Sequence, residues 1–231
     1  MSLTHNSTSI NPIFPSILST NYFNLESKLN TFQENNIEFI HLDIMDGHFV
    51  DNLSFGPSAA SSIKSQFPFK IDSHLMVNNP AKMIPKFIKA GSDWISFHLE
   101  VVENSDVLPI IQMIKTSGCS VGIALNPDKE IETVFPFLDR IDFVLLMSVF
   151  PGFGGQSFIP STLERIARLK KQITQTQNNV LIQVDGGIND SNIHDIKNAG
   201  ADLFVIGTFL FNSEHIKETL FSIHNKLIPG V

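Results

Sequence analysis

Eight short apolar runs, each followed by a turn and an amphipathic stretch, succeed one another along this 231-residue chain. Apolar runs of four to eight residues bounded by turn formers read as buried strands, and the 3.6-residue periodicity between them reads as helices. The predicted strands are residues 13–18, 39–45, 69–76, 94–99, 121–125, 143–148, 180–184 and 203–206. Strands that alternate with helices pair in parallel. Eight such units in one chain of this length predict a single closed (β/α)8 TIM barrel over residues 12–231, behind a polar N-terminal extension at residues 1–11. The rival is an open doubly wound sheet, and the first strand lacks the G-x-G-x-x-G turn that would favour it.

The helical stretches carry their own signals. Val107, Ile110, Ile111 and Ile114 share a helical face, as do Leu163, Ile166, Ala167 and Ile173, and then Ile216, Leu220, Ile223 and Leu227. Ser161 and Glu164 have the spacing of a capping box. "KAGSDW", "TSGCSV" and "NAGADL" each place a glycine between a helix and the next strand.

In such a barrel the functional site lies at the C-terminal ends of the strands. His41 and Asp43 stand near the end of the second run, His74 of the third and Asp185 of the seventh. Side chains alternate along a strand. His41, Asp43 and Met45 therefore share one face, Asp72, His74 and Met76 another, and Gln183 and Asp185 a third. If these faces point inward, two imidazoles and two carboxylates meet at the barrel mouth. Mixed N/O ligands without thiolate suit one divalent ion, Zn, Fe(II), Mn or Co, and fit calcium poorly; the residues do not choose among the four, and zinc is taken as the first candidate. Asp46 precedes Gly47 and reads as a turn former, Asp72 as a deeper structural carboxylate and His48 as a surface residue. His98 and Glu100 close the fourth run, either supporting the ligands from behind or capping a strand end. Met45, Met76 and Met147 read as core filling or as an apolar ceiling over the site.

The formal charge of −7 and the absence of a basic cluster argue against nucleic acid and against an anionic membrane surface. Arginine occurs only at positions 140, 165 and 168, so a bound phosphate must rest on backbone. Glycine-rich strand exits supply that backbone: "PGFGGQSF" with Gly152, Gly154 and Gly155, then "DGGIND", then "VIGTF" with Gly207 and Thr208. A helix follows the first two and adds its N-terminal field. Cys119 is the only cysteine, which excludes an intrachain disulfide and reads as a buried thiol. No apolar leader or membrane-length run is present, so a cytoplasmic protein is expected. The Asn6-Ser7-Thr8 and Asn52-Leu53-Ser54 triplets match glycosylation acceptors only in the way that chance triplets do.

"PSILS", "HLDIMDGHFVDNLSFGP", "DSHLMVNNP", "LNP", "PGFGGQSFIP" and "VDGGI", in this order from residue 15 to residue 211, resemble the ribulose-phosphate 3-epimerase family of carbohydrate metabolism. The resemblance implies a (β/α)8 barrel that interconverts D-ribulose 5-phosphate and D-xylulose 5-phosphate in the pentose phosphate pathway through a cis-enediolate. It implies a divalent metal on His41, Asp43, His74 and Asp185, with Asp43 and Asp185 as the acid/base pair. It places Ser16, His41, His74 and Asp185 at the substrate. It assigns phosphate and sugar contacts to Gly152, Phe153, Gly154 and Gly155, to Gly186 and Gly187, and to Gly207 and Thr208. Homo-oligomers are common among such relatives. The chain departs from the family pattern at Ser73, Asp51, Phe150 and Thr208, and none of these removes a proposed ligand. A D-allulose 6-phosphate 3-epimerase would use the same ligands, although "GFGGQ" and "DGG" favour the pentose substrate. A non-catalytic phosphosugar-binding barrel would be expected to lack part of the acid/base set.

Overall fold

The computed structural model describes residues 10–227. Eight parallel strands, β1 (Ile13–Pro15), β2 (Phe39–Met45), β3 (Lys70–Met76), β4 (Trp94–His98), β5 (Ser120–Leu125), β6 (Phe143–Met147), β7 (Leu181–Asp185) and β8 (Leu203–Ile206), form one sheet. Each pairs with its sequence neighbour from β2 to β8, and β8 pairs with β1. A parallel bridge between Ser16 and His41 joins β1 to β2 and closes the (β/α)8 TIM barrel. Helices α1 (Leu25–Glu34), α2 (Pro57–Gln66), α3 (Pro80–Lys89), α4 (Asn104–Thr116), α5 (Thr162–Thr176), α6 (Ile193–Ala199), α7 (Thr208–Phe211) and α8 (Ile216–Leu227) surround it. Most of the N-terminal extension and the Asn6 triplet lie outside the described residues.

Four local expectations are corrected. β1 stops at Pro15, because Ser16 leaves the strand and caps a 3₁₀ turn, Ile17–Ser19, its Oγ accepting from the Leu18 N–H at 3.3 Å. Between β5 and β6 the chain forms a 3₁₀ helix, Ile131–Phe137, rather than an α-helix. Ser161 takes a helical conformation and makes no side-chain cap. The buried face of α5 runs through Thr162, Ile166, Leu169 and Ile173, so Ala167 is exposed and Leu163 only partly buried. The faces predicted for α4 and α8 are buried as expected.

The barrel interior is layered. Phe14, Phe39, Trp94 and Phe143 fill its N-terminal end, with Phe14 stacked on Phe39 at 4.5 Å and Trp94 on Phe143 at 4.7 Å. Gly122 makes room for the plug, since a Cβ there would lie 2.4 Å from the Phe143 ring. Above it come Asp72, Ser96 and Gln183, all fully buried, and then the charged mouth. Ile, Leu, Val and Phe on the outward strand faces pack under the helices. Each even strand is preceded by an acidic residue that accepts a backbone N–H at or just before the preceding odd strand. Glu38 takes Asn11, Asp93 takes Ile71, Asp142 takes Val121 and Asp202 takes Ile182, at 2.7–3.1 Å. These clamps occupy the face opposite the mouth, where the fold's stability is secured.

Asp46 is the turn former expected after β2. Its Oδ1 accepts from the N–H groups of His48 and Phe49 at 2.9 Å, and its Oδ2 from that of Asn78 at 2.8 Å, which ties the β2 exit to the β3 exit. Partial burial opposes ionisation, but the three donors outweigh it and hold the carboxyl below its ordinary range. A carboxyl depressed on folding adds stability above its unfolded pKa, and that stability is lost as pH falls through the folded value. Asp46→Ala is therefore expected to cost about 1–3 kcal/mol near neutrality. The loss should shrink in acid, as denaturant unfolding at about pH 7 and about pH 3 will measure. An equal loss at both would mean that the negative charge contributes nothing.

Candidate active site

The register of the strands decides the site. His41 pairs with Asp72 and Asp43 with His74 across β2 and β3, while Met147 pairs with Asp185 across β6 and β7. With these faces turned inward, one ligand atom from each of His41, Asp43, His74 and Asp185 lies within 4.8 Å of all the others. His41 Nε2 is 3.4 Å from Asp43 Oδ1 and 3.8 Å from Asp185 Oδ2. His74 Nδ1 is 3.3 Å from Asp43 Oδ1 and 3.6 Å from Asp185 Oδ2. Such separations match the edges of a coordination shell with bonds of about 2.0–2.2 Å. His41 Nε2 is buried and has no hydrogen-bond partner. An orphaned imidazole nitrogen aimed at two carboxylates is what a divalent ion requires of its ligands, so the cluster fits one.

The surrounding groups fix each side chain of the cluster. His41 Nδ1 lies 2.8 Å from Asp72 Oδ2, which also accepts from Gln183 Nε2 at 2.7 Å. Asp72 is thus the deep structural carboxylate expected of it. Ser16 Oγ donates to Asp43 Oδ2 at 2.5 Å, and Ser54 Oγ donates to the Asp43 carbonyl. Ser148 Oγ donates to the carbonyls of Asp185 and Gly186. His98 Nε2 meets His74 Nε2 at 2.9 Å, so His98 stands directly behind one imidazole of the cluster. His48 is exposed, as expected.

Burial and charge push the two carboxyls apart. Burial works against ionisation of Asp43, but His41 and His74 overcome it and hold the group below the usual carboxylate range. Burial lifts Asp185, and the charge of Asp43 lifts it further. His41 is raised well above its ordinary value: burial opposes the proton, yet Asp72 and Asp43 outweigh burial. His74 is raised too, burial again being outweighed, here by Asp185 and Asp43. Burial pushes His98 down to about 4, and Glu100 offsets only part of that.

Asp43 and Asp185 open into a cavity of about 680 Å³. Ser16, Met45, Met76 and Met147 line it, together with Gly152, Phe153, Gly154, Gly155, Gly186, Gly187, Gly207 and Thr208, so these residues share one space. His41 and His74 lie fully buried behind the carboxylates. No described lysine or arginine lines the cavity. Only the β8 exit runs straight into a helix, the short α7; α5 and α6 begin several residues beyond their glycines. The helix field expected at those two loops is therefore distant, and backbone amides and hydroxyls remain. Ser19, absent from the sequence reading, meets Thr208 hydroxyl to hydroxyl at 2.9 Å. Its signal was faint: a second serine one 3₁₀ turn after Ser16. Asn52 Nδ2 donates to the Gly152 carbonyl, and Gln156 Nε2 to the carbonyls of Phe150 and Phe153, which shapes the loop after β6.

The model of the ribulose-phosphate 3-epimerase family matches residues 12–211. The ribulose-phosphate 3-epimerase of Buchnera aphidicola subsp. Baizongia pistaciae is 43% identical over 215 residues, 92% of this chain and 93% of that one. The enzymes of that name from Aquifex aeolicus and Escherichia coli K12 are 36% and 37% identical, covering 94% and 93% of this chain and 97% and 95% of theirs. The crystal structure of 3-hexulose-6-phosphate synthase from Salmonella typhimurium superposes with a TM-score of 0.67 at 14% identity, over 94% of this chain and 98% of that one, a likeness of fold alone. With the motifs matched in order and nearly the full length covered on both sides, the chain belongs to the ribulose-phosphate 3-epimerase family.

Proposed function

We propose that this epimerase interconverts D-ribulose 5-phosphate and D-xylulose 5-phosphate by inverting C3. The observation that carries the reading is the pair of carboxylates, Asp43 from β2 and Asp185 from β7, that line one cavity beside the His41 and His74 imidazoles. Inversion needs a base on one face of the carbon and an acid on the other, since a single group would return the proton where it came from. Asp43 takes the C3 proton of one epimer, giving a cis-enediolate, and Asp185 delivers a proton to the opposite face; in the reverse direction the roles exchange. The Ser16 hydroxyl holds the Asp43 carboxylate in one rotation. Met45, Met76 and Met147, nearly fully buried, cover the reacting carbons with apolar surface and keep water away. His41, Asp43, His74 and Asp185 would hold a divalent ion, which when bound supplies Lewis-acid polarisation of the C2 carbonyl. The amides of Gly152–Gly155 and Gly186–Gly187, with Ser19 and Thr208, receive the phosphate.

Turnover on both ketose phosphates with saturating metal, in D₂O, tests the reading. The pentose substrate should gain deuterium at C3 with a kcat/KM at least about tenfold above that of allulose 6-phosphate. Faster turnover of the six-carbon ketose would reassign the substrate, and binding without C3 exchange would restore the non-catalytic barrel. Gly187 tests the anion end. Its φ is +64°, and a Cβ there would lie 2.4 Å from the Phe158 nitrogen. Gly187→Ala should raise KM about tenfold or more through a strained loop, with a smaller change in kcat. An unchanged KM would remove this loop from substrate binding.

A further inference from the structure

His74 turns its Nδ1 to the carboxylates, whereas His41 uses its Nε2. The reason lies behind the ring. His74 Nε2 is 2.9 Å from His98 Nε2, the two rings lie 5.0 Å apart at 26°, and both residues are fully buried. His98 Nδ1 is in turn 3.3 Å from Glu100 Oε2, and Glu100 Oε1 accepts the Asn126 N–H at 2.7 Å. Arg165 pins that end, donating from Nη2 to the Asn126 carbonyl at 2.8 Å and from Nη1 to the Met147 carbonyl at 3.4 Å. Phe49 packs on the free face of His98 with its ring 4.7 Å away.

We propose that His98 and Glu100 are positioning residues that set the tautomer of His74 through a carboxylate–imidazole–imidazole chain, leaving the Nδ1 lone pair free for the ligand cluster. The inference rests on the reading that His41, Asp43, His74 and Asp185 hold a divalent ion. Given that reading, one protonation pattern suits the nitrogens and oxygens that face one another along the chain. Nδ1 of His74 carries no hydrogen, so Nε2–H donates to His98 Nε2. His98 then carries its hydrogen on Nδ1, which faces Glu100 Oε2 at 3.3 Å, and neither of these two buried atoms has another partner. His41 is oriented in one step, by Asp72 at 2.8 Å. His74 is oriented in two, and its chain ends at Glu100, whose side chain is 11% exposed, near the rim of the barrel. A plain strand-end cap would leave the tautomer of His98 open, and this chain does not. Carboxylates behind metal-bound imidazoles fix ring and tautomer and change metal affinity by about 10–100-fold.

Nitrogen-15 NMR of the zinc-loaded wild-type protein reads the tautomers directly. His74 should carry its hydrogen on Nε2 and His98 on Nδ1. His98 found protonated on Nε2, or on both nitrogens, overturns the chain while leaving the metal site intact; wild-type protein that takes up no divalent metal removes both. Glu100→Gln adds a second test, with zinc affinity measured by chelator competition and the absorption spectrum by Co(II) loading. Affinity should fall about tenfold or more and the cobalt bands should shift, while the melting temperature of the metal-free protein stays near wild type. Unchanged affinity with an unchanged spectrum would overturn the proposal. Should the variant not fold, the wild-type tautomers decide alone.

Discussion

Replacing Asp185 by asparagine is expected to slow epimer interconversion at least about a hundredfold, the scale of a lost general acid–base group. Asparagine keeps the size of the side chain and an oxygen for the cluster, but it cannot carry a proton to C3. Without a metal, burial and the Asp43 charge lift Asp185 toward its protonated form. Asp43, with its Oδ2 fixed by Ser16, remains able to attack one face. Any residual solvent exchange should therefore be confined to one epimer and occur without inversion. The assay follows deuterium at C3 from each epimer separately, with saturating metal and with metal content measured on the same sample. Near-normal interconversion in Asp185→Asn would end the two-carboxylate scheme.

Removing the divalent ion is the second large effect, with an expected loss of about a thousandfold or more, since Lewis-acid polarisation is worth several kcal/mol. The protein's own groups enlarge that loss. With protons on His41 and His74, the Asp43 carboxylate is surrounded by positive charge and held below its usual range, which makes it a poor base. The pH dependence follows. Burial disfavours the proton on His41, but the carboxylates raise its folded pKa well above the ordinary 6.5. In the metal-free protein this pairing adds stability that is fully present below the ordinary value and is lost as pH rises through the raised one. Metal uptake has the opposite slope, because each imidazole must release its proton to become a ligand. Chelated protein should thus lose stability on moving from acid to alkaline buffer, while apparent zinc affinity rises and protons are released. Full activity in a sample proved empty by metal analysis would exclude the ion from the reaction. Zinc uptake that did not vary with pH would contradict the proton-bearing imidazoles.

Much of this was legible in the sequence because a barrel strand has a strict two-residue period. Once β2, β3 and β7 were recognised, alternation alone assigned His41, Asp43, His74 and Asp185 to inward faces. Glycine, with no side chain, marked the strand exits that line the cavity. What could not be read depends on closure. Gln183 reaches Asp72 across 111 positions, and no local pattern encodes which residues of facing strands reach the same height. The meeting of His98 with His74 needed the β3–β4 register and two ring rotations, so residue order left its role open between support and cap. Helix detail failed where local cues competed with packing. The Ser161 spacing suggested a cap, but Ser161 is itself helical and makes no cap bond, and the buried face of α5 runs through Leu169 rather than Ala167.

The aromatic plug has one further consequence. Trp94 is the chain's single tryptophan, and it sits at the floor of the barrel, stacked on Phe143 with Phe14 and Phe39 beside it. The cluster of His41, Asp43, His74 and Asp185 lies at the other end, beyond the polar layer. Its fluorescence is therefore a built-in gauge of whether the barrel as a whole is intact, and it should stay quiet when metal or sugar phosphate is added. A variant that loses turnover but keeps this emission has lost chemistry, and one that loses both has lost its fold.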